Sequence, residues 1–124
     1  MLFKSLQVSL YRSVFAALLF AAPVTAQDIY VDDDADPAVQ DGTSWATAYR
    51  YLQDAIVLAP AGASIRVAQG EYTPDRSDNF GFITPGDRSL SFQFAESMIM
   101  WGGYAGIGAP DPNEQDPESY VTIL

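Results

Sequence analysis

The sequence predicts a β-rich solenoid, a coil of stacked strands, entered through one helix. Three observations lead there. Beyond residue 63 the apolar residues recur every second position in short runs, the period of strands. These runs are separated by long acidic loops rich in Pro and Gly, and no Asn-Gly or Asp-Gly pair joins two of them as a hairpin would require. The strand starts near Ile99 and Val121 lie about one solenoid rung, roughly 20 to 30 residues, apart.

The N-terminus has a separate character. Lys4 and Arg12 flank the apolar run Ser13 to Ala22, and Val24 with Ala26 places small residues where a signal peptidase reads. Residues 1–26 are therefore expected to be a secretory signal peptide cleaved after Ala26, the apolar run being too short for a membrane anchor. The expected destination is secreted or cell-surface. The absence of cysteine excludes a lipoprotein anchor and any disulfide, so an exported domain here must rely on packing alone. The absence of histidine excludes Ser-His-Asp and Cys-His catalysis within the chain.

Removing residues 1–26 takes away Lys4 and Arg12 but no acidic residue, so the net charge moves from −10 to −12. The remaining cations are Arg50, Arg66, Arg76 and Arg88. Such an excess of negative charge repels nucleic acid and anionic membrane surfaces, so neither is an expected partner.

Within 27–124, Ile29 to Val31 reads as a brief entry strand before an acidic turn-rich loop ending at Gly42. Trp45, Tyr49, Leu52, Ile56 and Ala59 then recur at steps of four and three, which predicts one helix from Trp45 to Ala59, stopped by Pro60 and Gly62. Arg50 and Asp54 fall one turn apart on its outer side. "SIRVAQGEY" alternates, with Ile65 and Val67 on one face and Arg66 and Ala68 on the other, and predicts a strand ended by Gly70. "TPDRSDNFGFITPGDR" reads as a surface loop. "SLSFQFAES" alternates again through Leu90, Phe92 and Phe94, and "MIMW" reads as a strand buried on both sides. "YVTIL" reads as the start of another rung.

Taken in order, these segments resemble the opening of secreted right-handed parallel β-helix proteins of the pectin-lyase-like type. "IYVDDDA" resembles the entry strand, "DGTSWATAYRYLQDAI" the N-terminal capping helix, "GASIRVAQGEYTP" the first full rung and "FQFAESMIMWGGYAGI" the next. The resemblance implies that residues 27–124 are a cap and first rungs, truncated at "YVTIL". It also implies an exported structural, adhesive or glycan-contacting role, with polysaccharide or cell-surface glycans as partners. The alternative is the opening segment of a polysaccharide lyase or glycoside hydrolase whose catalytic rungs lie beyond this chain.

Candidate sites are few. Asp32, Asp34 and Asp36 match the first EF-hand ligand positions, but Pro37 stands where the turn glycine belongs and Thr43 where the bidentate Glu belongs, so an EF-hand is excluded. A looser calcium site formed by Asp32, Asp34 and Asp41 is the candidate metal centre, against a solvated acidic loop; no other cofactor is expected. The glycines of "GGYAGIG" do not follow the nucleotide-binding spacing and are expected to turn the chain at positive φ. Trp45, Tyr49, Tyr51, Tyr72, Trp101 and Tyr104 include the material of a sugar-stacking platform, although Trp45, Tyr49 and Trp101 are expected in the core. Glu71, Asp75, Asp78 and Asp87 with Arg76 and Arg88 have the residue types of polysaccharide cleavage, but solvated loop charges are the expectation and no residue is assigned a catalytic role.

Overall fold

A computed structural model describes residues 26–124; the signal-peptide expectation lies, save for Ala26, outside the described residues. The chain forms β1 (Asp28–Val31), a 3-10 turn (Trp45–Thr47), helix α1 (Leu52–Leu58), β2 (Ser64–Ala68), β3 (Gly70–Glu71), β4 (Ile99–Tyr104) and β5 (Thr122–Ile123). β1, β2 and β4 make a parallel three-stranded sheet in that order, and β3 pairs in parallel with β5.

The alternating pattern of the first sheet is realised as the sequence demands. Ile29 pairs with Ile65 and Ile65 with Met100; Val31 pairs with Val67. These residues share one face, and Leu52, Ala55 and Ile56 of α1 join the same core with Tyr49 and Tyr72. Each fully buried aliphatic side chain contributes about 1.5 to 3 kcal/mol. The opposite face carries the row Tyr30, Arg66 and Trp101.

The expected right-handed parallel β-helix is corrected by this architecture. Two small parallel sheets and one short helix are present, and between Tyr72 and Met98 there is no strand, where a solenoid would need one. The reason lies in how that segment satisfies its backbone. Asp75 accepts from the N–H of Gly86, Asp87 from that of Ser89, and the hydroxyl of Ser77 accepts from those of Asn79 and Phe80. Local side-chain bonds of this kind compete with ladder formation as far as Ser89, and Leu90, Phe92 and Phe94, which follow, lie in no strand. Phe92 still packs on the core, whereas Phe94 is exposed.

The expected helix from Trp45 to Ala59 is likewise divided. Tyr49 donates its N–H to the Tyr30 carbonyl and accepts from the N–H of Asp32, both at 2.9 Å. These bonds extend the backbone beside β1 and restrict the helix to Leu52–Leu58. Burial of Trp45, Tyr49, Leu52 and Ile56 follows the predicted face, but Trp45 packs with Ala68 and Tyr104 on the other side of the sheet. Asp54, expected on the outer side, is fully buried. It accepts from the Ser77 hydroxyl and, at 2.9 Å, from the N–H of Asp78, while Arg50 lies over the Tyr51 ring instead.

Two glycines fix how later segments approach β4. A Cβ on Gly102 would press on the Thr122 side chain, and one on Gly103, at φ +81°, would meet Pro117. Their bare backbones let β5 and the chain before it lie against β4. The positive φ expected of this glycine cluster is found at Gly103, Gly106 and Gly108.

Candidate functional site

Two acidic regions and one aromatic surface carry the chemistry. The first acidic region lies at the end of β1. Asp32, Asp33 and Asp34 each bring a carboxylate oxygen within 4.8 Å of the others. Asp41, named with Asp32 and Asp34 as a calcium ligand, is not in that group. Its carboxylate accepts from the N–H of Thr43 at 3.0 Å and from the Thr43 hydroxyl at 2.8 Å. These bonds, with one from Thr47, hold its carboxyl below the ordinary range. Asp33, which the sequence pattern did not single out, joins Asp32 and Asp34 there; adjacency alone was the signal for it.

Asp32 has a structural task in this arrangement. It is only 2% exposed and accepts from the N–H of Ile107 at 2.6 Å and that of Asp34 at 3.0 Å. The bond to Ile107 ties the turn after β4 back across β2 to the end of β1. Burial pushes the Asp32 carboxyl up, partly offset by those two N–H groups. Asp33 is also pushed up, by burial and by the neighbouring charge of Asp34. Tyr72 closes the region from beneath: its O–H donates to the Ala68 carbonyl and its oxygen accepts from the N–H of Asp33. Burial raises the phenol well above its usual range.

The second acidic region runs beside the edge of β4 that faces away from β2. Residues 114–116 lie antiparallel to it: Ala105 donates to the Glu114 carbonyl and Asp116 to that of Gly103, both at 2.9 Å, with a bridge between Tyr104 and Gln115. Gln115 Nε2 reaches the Gly102 carbonyl at 2.9 Å. Bonds from the Ser119 hydroxyl and the N–H of Glu118 keep the Asp116 carboxyl below its ordinary range.

The aromatic surface is the outer face of the first sheet. Arg66 donates to Asp28 at 3.0 Å, and its guanidinium lies over the rings of Tyr30 and Tyr104, 5.9 and 5.8 Å from their centroids. Trp45 packs edge-on to Tyr30 and tilted against Tyr104, with its indole N–H bonded to Asn113 at 2.9 Å. Trp101, in register with Arg66, is 50% exposed, and Ile99 on the same face 53%. The expectation that Trp101 belongs to the core is thus corrected. "MIMW" resembles a strand covered on both sides, yet in this structure only the Met100 face meets the core.

Of the remaining charged candidates, Asp75, Asp87 and Arg88 share a shallow surface cavity of about 360 Å³ with Pro74, Gly86 and Leu90. Both carboxyls are held below their ordinary range by hydrogen bonds, Asp75 by Thr73 and Gly86 and Asp87 by Ser89. Asp78 accepts from Gln40 Nε2, and Glu71 is exposed in β3. These groups form no single constellation. No protein-family model, curated protein or solved structure matches the chain, so its function must be read from the side chains themselves.

Proposed function

We propose that this chain is a non-catalytic module of an exported protein and contacts glycans at the cell surface through the outer face of its first sheet. The observation that carries this reading is the half-exposed Trp101 on edge strand β4, in register with Arg66 and Tyr30. An indole presents a broad apolar face together with a polar N–H, the combination that suits a surface wet on one side and apolar on the other. The rings of Tyr30, Trp45 and Tyr104 and the paired Arg66 make the ground beside it rigid, so little side-chain freedom is lost on contact. Ile99 extends the apolar strip along the strand.

The alternative is the opening segment of a polysaccharide lyase or glycoside hydrolase whose catalytic residues lie beyond this chain; within the chain, the Asp75 and Asp87 carboxyls are moved away from the raised state a glycosidic general acid needs.

Titration of the chain with soluble oligosaccharides, followed by tryptophan fluorescence and calorimetry, tests it. Binding is expected, and Trp101→Ala should weaken it at least about tenfold while leaving the circular dichroism unchanged, since a truncated exposed side chain leaves no cavity. Failure of every oligosaccharide to bind, or binding indifferent to Trp101→Ala, overturns the proposal.

A further inference from the structure

The first residue of the exported chain is a modification site. Cleavage after Ala26, expected from the apolar run and the small residues Val24 and Ala26, makes Gln27 the N-terminus. Gln27 is exposed and stands one residue ahead of β1. Its backbone carbonyl accepts from the N–H of Ser64 at 2.9 Å, which docks the residue on β2 through a group that chemistry at its amine and side chain leaves unchanged. The next residue, Asp28, holds Arg66 at 3.0 Å, and the Arg66 guanidinium lies over the rings of Tyr30 and Tyr104, in register with Trp101. Ile29, the third, is already in the core.

We infer that Gln27 closes on itself to pyroglutamate once the signal peptide is removed, and that this cap seals β1 against exopeptidases. The inference rests on the exported reading and adds a covalent modification to it. In the step, the α-nitrogen of Gln27 attacks its own side-chain Cδ. The new N–Cδ bond closes a lactam ring, the Cδ–Nε2 bond breaks, and Nε2 takes a proton from the α-amine and leaves as ammonia. No atom is oxidised or reduced and no co-reactant is consumed. A chain's α-amine has a pKa of about 7.7 to 8.0, so part of it is the neutral nucleophile at neutral pH. Both reacting atoms belong to one residue, which gives the attack the advantage of proximity.

The order of residues shows what the cap protects. Chain ends fray and are where trimming concentrates. Loss of Gln27 and Asp28 from an uncapped end takes the carboxylate away from Arg66, beside the aromatic rings of the outer face, and loss of Ile29 opens the core. A lactam offers an aminopeptidase no free amine to bind, so trimming stops before it starts.

Intact mass spectrometry and stepwise N-terminal degradation of the chain, expressed with its own residues 1–26 and collected after export, test the inference. The product should begin at Gln27, weigh one ammonia less than the encoded residues from Gln27 onward, and resist degradation until pyroglutamyl aminopeptidase removes residue 27. Incubated with a general aminopeptidase, the wild-type product should keep its mass. Gln27→Ala, and wild type first opened by pyroglutamyl aminopeptidase, should instead lose residues through Asp28 and change their tryptophan fluorescence. A product that begins at Gln27 and keeps its free amine on prolonged incubation overturns the cap and leaves the exported reading standing; a mature end at another residue does the same. Retention of Met1 overturns the exported reading and the inference with it. Trimming of capped and uncapped chains at one rate overturns the protective role.

Discussion

The acidic stretch from Asp32 to Asp34 and the one from Asp111 to Glu118 look alike as sequence, yet their carboxylates meet opposite surroundings. In the first, Asp32 turns inward, holds Ile107 and Asp34 through their N–H groups, and is pushed up by burial. In the second, Asp116 stays at the surface, draws bonds from Ser119 and Glu118, and is pushed down. The comparison teaches that carboxylate density predicts neither binding nor structure. Both accept backbone N–H groups, so what matters is whether the carboxylate is also taken out of water, as Asp32 is and Asp116 is not.

Removing one carboxylate from each region gives the largest contrast. Asp32→Ala removes the acceptor that the N–H groups of Ile107 and Asp34 share and releases the turn after β4; a loss of about 1 to 3 kcal/mol is expected. Asp116→Ala exposes its donors to water, and its loss should be much smaller. Urea unfolding of both variants decides the matter, and equal losses would break the distinction.

The pH dependence should show both regions at once. Asp32 and Asp33 have carboxyls raised above the ordinary 3.8, so they bind protons more readily folded than unfolded. Their contribution is fully present below that value and is lost as pH rises through their folded pKa. Asp41, Asp75, Asp87 and Asp116 are lowered from 3.8, and the stability they contribute is lost as pH falls below that range. Thermal unfolding between acid and neutral pH should therefore reach its maximum on the acid side of neutrality, and Asp32→Asn should flatten the neutral side. A maximum at neutral pH would show that burial does not govern Asp32.

The smallest effect sharpens the first region alone. The charge of Asp34 raises the Asp33 carboxyl, so Asp34→Asn should relieve repulsion and stabilise by a few tenths of a kcal/mol at neutral pH and low salt. High salt should erase the gain.

By itself the sequence determined the elements whose signal is local. Ile29 and Val31, and Ile65 and Val67, alternate because neighbouring side chains on a strand must point to opposite faces, and both pairs are in the core as the pattern requires. The glycine cluster near residue 103 likewise announced its positive φ. Tertiary structure decided the rest. The period through Trp45, Tyr49 and Leu52 was compatible with a helix until β1 claimed the backbone of Tyr49; alternation through Phe94 was compatible with a strand, yet no strand pairs with that segment. Most of the candidate surface was hidden for the same reason: Trp101 looks like a core residue in "MIMW", and its exposure follows only from the core lying on the Met100 face of β4 while the face of Ile99 and Trp101 stays half open. Local pattern tells which residues can share a face, whereas the partner strands and loops that arrive from far along the chain decide which face is covered.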